Sequence, residues 1–420
     1  MKKNAIALAV GALFVAPAAH SQTVLGNETV GTVQIYGKLY PQVGYYTSDG
    51  GTEGAATNVP STLARGSRGA GHGSTFSVDT QNTYIGFRGE RALGAGLKAI
   101  WQVEQAVEMD FDDAATWSNR NSFAGFSGGF GTIKLGNMDT IYKEYGDTMS
   151  MFGVSSGNFV SASNLLSHIG LGNNRAARFH ERAPHSIQYQ TPEFGDIQAG
   201  IQYMPDEENG TRSQNVSLVS AGVKYDSKTI YLSVQHEIHY DFFGGSLNVD
   251  NAFRNLVANP DDPTVIDTPD PSSQSKDSAT RFSAEYRMGN HRFVLDIAQL
   301  KYEESSALPG PSLFKSYERV NWAIGWDARW GGPWRTAIQF LKANEGKCEL
   351  SDGAPCSTEG LGATMVTAGV AYYFNRQTLL YAIAAQLNND KSARFDNWGN
   401  GSPFRGADLT QAALGMSYSF

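Results

Sequence analysis

The stretch NTYIGFRGERALGAGLKAIWQVEQ, residues 82–105, decides the fold class. Apolar Ile85 and Phe87 alternate with polar Arg88 and Glu90, and the same alternation continues from Leu97 after the glycine-containing turn at residues 93–96. A period of two is typical of a strand with two different faces, and a tight glycine turn joins two such strands into a hairpin. The stretch therefore predicts a β-hairpin with one apolar face and one polar face.

The same pattern extends over the rest of the chain. VQIYGKLYPQVGYY, residues 33–46, alternates over more than ten residues, which is the length of a tilted membrane strand. Short turns, such as those at residues 226–228 and 288–290, alternate with long connections, such as residues 241–277 and 388–409. Short turns on one side and long loops on the other are typical of outer-membrane barrels. The segments between these connections predict an all-β, sixteen-stranded antiparallel transmembrane β-barrel.

Bulk properties agree with an exported barrel. Residues 1–21 have a basic start, an apolar centre and a small-residue end, and they predict a signal peptide, which leaves residues 22–420 as the barrel. No later run is apolar over the roughly 18 residues that a membrane helix needs. The formal net charge of −8 argues against nucleic acid as a partner.

Two cysteines, Cys348 and Cys356, lie close together in the loop-like stretch KCELSDGAPCS. In an oxidising compartment we expect a local disulfide between them, with a pair of free thiols as the alternative. They have too few neighbouring ligands for a structural zinc site.

Four stretches carry a resemblance to a known family: residues 83–104, NRNSFAGFSGGFGTIKLG at 119–136, RAPHSIQYQTPEFG at 182–195, and the last strand ending at Phe420. In them the chain resembles the Gram-negative general porins, most closely those of beta-proteobacteria. The resemblance implies an outer-membrane porin, usually a homotrimer, through which small hydrophilic solutes and ions diffuse passively. It also implies that the third external loop folds into the lumen as a constriction loop, here Asp139–Glu181 (residues 139–181). That segment lacks a clean period, and long structureless segments are usually functional.

Candidate pore residues follow from strand phase and from the resemblance. Arg120 and Arg182 stand where such porins have lumen-facing basic side chains, and Tyr84 stands where porins commonly have an arginine. We expect basic side chains on one wall to face acidic side chains of the constriction loop, which creates a transverse field that acts on dipolar solutes and ions. The alternative is that these charges only solvate a water-filled lumen. The predicted constriction comprises Lys38, Tyr84, Arg88, Arg120, Lys134, Asp139, Glu144, Asp147, Arg178 and Arg182.

Other chemistry is less well supported. Arginines 175, 178 and 182 favour anion binding, whereas the nearby His168 and His180 are interpreted as parts of a solvated loop and not as metal ligands. Residues 125–129 match G-x-S-x-G, but they lie in a strand-to-strand turn and not in the strand-to-helix elbow of a hydrolase. We expect no enzymatic activity, no cofactor and no metal.

Two functional classes remain open. The first is a passive porin, or a narrower channel selective for small anions or dicarboxylates. The second is a non-conducting surface protein, an adhesin or envelope scaffold, in which the central loop plugs the barrel. In both, the outer face contacts lipid and lipopolysaccharide, and divalent ions bridging the acidic loop at residues 261–270 to lipopolysaccharide are a further hypothesis.

Overall fold

The protein is described by a computed structural model that covers residues 23–27, 31–52, 71, 73–80, 82–107, 120–154, 157–171, 178–205, 216–241, 256–258, 266–269, 274–305, 314–350, 352–397 and 403–420. The expected signal peptide at residues 1–21 lies outside these ranges, as do Arg175 and most of the acidic loop at residues 261–270.

Antiparallel strands make up almost all of the described structure. In chain order they are β1 (Thr23–Asn27), β2 (Gly31–Leu39), β3 (Gln42–Asp49), β4 (Thr75–Asp79), β5 (Tyr84–Gly94), β6 (Leu97–Ala106), β7 (Ser122–Gly128), β8 (Gly131–Asp139), β9 (Arg182–Gln190), β10 (Ile197–Met204) and β11 (Ser217–Asp226). They continue as β12 (Ile230–Tyr240), β13 (Leu256–Ala258), β14 (Ile266–Pro269), β15 (Gln274–Met288), β16 (His291–Ser305), β17 (Phe314–Arg329), β18 (Trp334–Ala343), β19 (Lys347–Leu350), β20 (Ala363–Tyr373), β21 (Thr378–Asn389) and β22 (Asp408–Ser419).

The barrel closes between its first and last strands. β22 pairs with β3 along Asp49 to Gln42 and with β2 at Lys38 and Leu39. β2 and β3 both pair with β22, and β18 and β19 both pair with β17. β4 pairs with β3 where β5 pairs with β2. Each of the pairs β2 with β3, β4 with β5, and β18 with β19 therefore forms one interrupted barrel strand. Within the described residues the result is a closed barrel of 16 antiparallel strands, which confirms the predicted fold. Closure leaves no sheet edge bare in hydrocarbon.

Alternation separates an apolar outer face from a polar inner face. Phe76, Leu414 and Ile201 are exposed on the outside, whereas Gln235 and Asp296 are buried on the inside. Membrane barrels have this arrangement because one face meets lipid and the other meets water or packed loops.

The connection between β8 and β9, residues 140–181, is called the inserted segment below. Its described parts contain two short helices, α1 (Ile141–Gly146) and α2 (Ser163–Leu166), and the side chain of Thr140 caps α1. Its backbone meets distant strands from inside: Tyr231 of β12 donates to the carbonyl of Tyr145, and Gln339 of β18 donates to the carbonyl of Val160. The segment therefore crosses the barrel interior from the β8–β9 wall.

No helix in the described part of the chain is long and apolar enough to cross a membrane.

The sulfur atoms of Cys348 and Cys356 are bonded, with their Cα atoms 5.7 Å apart. This disulfide, which is the expected local pairing, joins Cys348 in β19 to Cys356 in the connection from β19 to β20.

Candidate pore lining

One side of the interior is filled by apolar packing. Leu165 and Leu166 of α2 belong to a buried cluster that includes Leu300, Leu341 and Met365 of the barrel wall. A second cluster joins apolar residues of the inserted segment, from residue 149 to residue 160, to β18, β20 and β21. Burying a large apolar side chain stabilises by about 1.5–3 kcal/mol relative to exposure to water. The inserted segment is thus held against the wall formed by β15–β22.

Open volume remains between the inserted segment and the wall on the other side. A cavity of about 530 Å³ lies there, and we call it the pore cavity. Six of the predicted constriction residues line it: Arg120, Asp139, Glu144, Asp147, Arg178 and Arg182. Lys143, His168 and His180 line it as well.

The acid and base closest to the β8–β9 junction are direct neighbours. Asp139 and Arg182 oppose each other in the strand register, and a guanidinium nitrogen of Arg182 lies 3.0 Å from an oxygen of Asp139. Lys143, one helical turn later, lies 2.9 Å from the same carboxylate oxygen. The expectation that Asp139 faces Arg182 across the lumen is therefore wrong, because the antiparallel pairing of β8 with β9 places them side by side.

Arg120 is held on the wall opposite α1. It forms an ion pair with Glu104, and its guanidinium carbon lies 4.7 Å from the centre of the Tyr84 ring. Glu104 also accepts a hydrogen bond of 3.1 Å from the hydroxyl of Tyr36. Tyr84 thus takes the position where an arginine was expected, but it supports Arg120, which lies just before β7, by a cation–π contact.

Three other predicted residues lie outside the lining of the pore cavity. The ammonium of Lys38 donates to the carbonyl of Gly153, so Lys38 fastens the inserted segment to β2. Arg88 donates to Gln34 at 2.5 Å, and Lys134 donates to Gln188 at 3.0 Å. These basic side chains are tied to the inserted segment or to neighbouring strands, and the basic wall is correspondingly shorter than predicted.

The family is decided by a comparison with protein-family models. The model described as Gram-negative porin matches residues 5–392. The chain belongs to the Gram-negative porin family. Membership places this porin in the outer membrane.

Individual relatives of this porin are more distant. The major outer membrane protein P.IB of Neisseria lactamica is 31% identical over 231 residues, which is 55% of this chain and 57% of that protein. The corresponding P.IB of Neisseria gonorrhoeae is 32% identical over 55% of each chain. The porin spans about half the length of the curated relatives that it matches.

Solved structures share the fold. An anion-selective porin from Comamonas acidovorans has a TM-score of 0.65 at 19% identity, with 93% of this chain and 100% of that chain covered. OmpF of Salmonella typhi, in complex with daunomycin, has a TM-score of 0.56 at 16% identity, with 95% of this chain and 100% of that chain covered.

The late part of the inserted segment is less basic than the porin's sequence suggested. Arg178 pairs with Glu181, with one nitrogen–oxygen distance of 3.0 Å. His180 lies 3.7 Å from Asp147, and burial lowers the pKa of His180 despite the opposing attraction of that carboxylate. Burial also lowers the pKa of His168 well below its usual range, reinforced by nearby cations. Both histidines are therefore neutral at neutral pH.

Sequence reasoning missed Lys143 and treated the two histidines as solvated. The four-residue spacing of Asp139 and Lys143 could have indicated their contact, because residues at that spacing meet across one helical turn. The histidines gave no such signal, since their burial depends on how the inserted segment folds over itself.

Two observations concern other residues of the porin. Among the described residues, no three His, Cys, Asp or Glu side chains are grouped closely enough to hold a metal ion. Lys98 and Glu90 form an exposed ion pair at 2.9 Å near the β5–β6 turn.

Proposed function

We propose that this porin forms a water-filled channel for passive diffusion of small hydrophilic solutes and ions, with the inserted segment as its constriction. The observation that carries the proposal is the pore cavity, which lies between the inserted segment and the β5–β9 wall and is lined by charged side chains. A charged, hydrated passage favours polar over apolar solutes, and pairs of opposite charge create local fields that orient dipoles.

We further propose that ion selectivity is weak. Each basic side chain of the lining has a carboxylate within ion-pair distance: Arg120 has Glu104, Lys143 and Arg182 share Asp139, and Arg178 has Glu181. Glu144 accepts a hydrogen bond from the neutral amide of Gln190, and this bond does not neutralise the charge of Glu144. Asp147 also lines the cavity, beside the neutral His180, so five carboxylates stand against four cations. This balance supports a slight preference for cations at neutral pH over the anion preference suggested by the late arginines alone.

Recording in planar bilayers tests both parts of the proposal. Purified protein should give discrete current steps, and a salt gradient should give a reversal potential close to zero, displaced slightly in the cation-selective direction. Glu144→Gln should remove that displacement, whereas Glu90→Gln at the exposed rim serves as the matched control and should leave it unchanged. A large reversal potential in the anion-selective direction contradicts the proposed charge balance.

The non-conducting alternative is distinguished by the same recordings. If correctly folded protein inserts into the bilayer without current steps, the inserted segment plugs the barrel and a role as adhesin or envelope scaffold is favoured. Solute-induced block of the steps would instead indicate the narrower, substrate-selective channel.

We also propose that the protein is a homotrimer in contact with outer-membrane lipid and lipopolysaccharide, without enzymatic activity. A trimer form of OmpT from Vibrio cholerae, which is 15% identical, is among the proteins with the same fold and supports the assembly. The apolar outer face supports the lipid contact. Chemical crosslinking in native membranes should give a species of three times the monomer mass, and a monomer alone contradicts the trimer.

A further inference from the structure

The described parts of the last external connection, which runs from residue 390 to residue 407, also lie inside the barrel. We call it the terminal loop, and its described parts are residues 390–397 and 403–407. Phe395 and Arg405 have no exposed surface, and Arg394 and Asn397 are almost fully buried. External loops are normally solvated. Such burial shows that this one is packed into the structure.

The terminal loop binds the far part of the inserted segment at two points. The backbone amide of Arg394 donates to the carbonyl of Gly170 at 2.7 Å, next to a parallel bridge between Leu171 and Arg394. The side-chain amide of Asn397 donates to the carbonyl of Phe159 at 3.0 Å. These two contacts enclose the stretch that contains α2.

The terminal loop is in turn fixed to the barrel. Asn397 accepts a hydrogen bond of 2.6 Å from Gln411 of β22, and Asn389 of β21 donates to the carbonyl of Phe395 at 3.0 Å. The guanidinium of Arg319 from β17 lies 4.5 Å from the centre of the Phe395 ring, and it also donates to the carbonyl of His168. Arg319 thus touches both loops at once.

The side chain of Phe395 packs against Gly170, which has no side chain. A Cβ atom placed on Gly170 would lie 2.4 Å from a ring carbon of Phe395, and Gly170 has a φ of +72°. Both the conformation and the close approach favour glycine at this position. Gly170 of the inserted segment and Phe395 of the terminal loop are therefore complementary in shape.

We propose that Phe395 and Asn397 are positioning residues for the pore: they hold residues 159–171 of the inserted segment in place and so keep the width of the passage constant. The wall also bonds to this stretch, from Gln339 to the carbonyl of Val160, from Asn321 to that of Leu165 and from Arg319 to that of His168. The terminal loop adds the bonds to Phe159 and Gly170. Without them the stretch keeps its bonds to the wall but loses its contacts at Phe159 and Gly170.

Disulfide crosslinking tests the placement without any use of channel activity. In a Cys348→Ser, Cys356→Ser background, the pair Leu171→Cys with Arg394→Cys joins bridge partners, and mild oxidation of the folded barrel should crosslink it in high yield. The control pair Leu171→Cys with Thr410→Cys places the second cysteine on the outward face of β22. A yield no higher than that of the control pair overturns the proposal.

Single-channel recording tests the consequence for the pore, and only this readout rests on the proposed channel function. Phe395→Ala with Asn397→Ala should give severalfold more frequent transitions between conductance levels, and the crosslinked pair should suppress such transitions. The matched control is Phe374→Ala with Asn375→Ala in the β20–β21 turn, where Phe374 is exposed.

The outcomes separate the two proposals. Steady, wild-type current from the terminal-loop variant overturns the positioning role, provided that heat-modifiable gel mobility shows a native barrel. A wild-type protein without current steps contradicts the channel function, whereas the crosslinking yield still decides whether the terminal loop holds the inserted segment.

Discussion

Replacement of Asp296 by alanine should destabilise the barrel strongly. Asp296 and Arg281 form an ion pair at 3.1 Å beneath the inserted segment, with side-chain exposures of 0% and 1%. Removing one partner of a buried pair costs about 3–5 kcal/mol, because the other charge stays buried without compensation. The hydroxyl of Thr148 also donates to Asp296, and a lost hydrogen bond adds about 1 kcal/mol. We therefore expect a loss near the upper end of that range.

Two variants separate the contributions to this loss. Thr148→Val removes only the bond from the inserted segment and should cost about 1 kcal/mol. Arg281→Met with Asp296→Leu removes both charges and should be nearly neutral, since apolar replacement of a buried pair often is. Equilibrium unfolding by urea in lipid vesicles measures all three free energies. A loss below about 1 kcal/mol for Asp296→Ala refutes the reasoning, because the charge of Arg281 would then be solvated.

Three further predictions concern the inserted segment and the external loops. Gly369→Val should alter conductance, because even its Cβ would lie 2.6 Å from the ring of Phe152; Gly129→Val, in open space, should not. Since burial lowers the pKa of both His168 and His180, stability should fall as the pH drops below 6.5, the ordinary value, when measured by unfolding against pH; His168→Gln with His180→Gln should flatten this fall. Cys348→Ser should cost about 2–3 kcal/mol by loop closure and leave conductance unchanged in bilayer recordings.

Strand phase could be predicted from the sequence because it depends on local alternation. Ile85 and Arg88 belong to opposite faces of one strand whatever the rest of the chain does, and a slip of one residue would bury the wrong set. The turns were predictable for the same reason, as at Gly94 and Gly96, whose positive φ values suit a tight hairpin.

Contacts between distant segments could not be read in this way. The expectation that Asp139 and Arg182 face each other across the lumen was wrong, because it ignored the register of β8 and β9, the strands at the two ends of the inserted segment. Burial of the terminal loop gave no signal in the sequence, since its partners at Phe159 and Gly170 lie more than 200 residues away. The apolar residues of the inserted segment that fill the side of the interior opposite the pore cavity show no periodic spacing, because they lie outside helices and strands.

The pore cavity lies to one side of the barrel interior, so the packing of the inserted segment and the lining of the passage depend largely on different residues. Packing that holds the inserted segment in place involves β15–β22, whereas the charges that line the pore cavity lie before β7, on β8 and β9, and on the inserted segment itself. Substitutions at the two sets should be close to additive, because groups without shared partners rarely couple. Charges that act on permeating solutes can therefore be replaced with little effect on the packing that keeps the barrel intact.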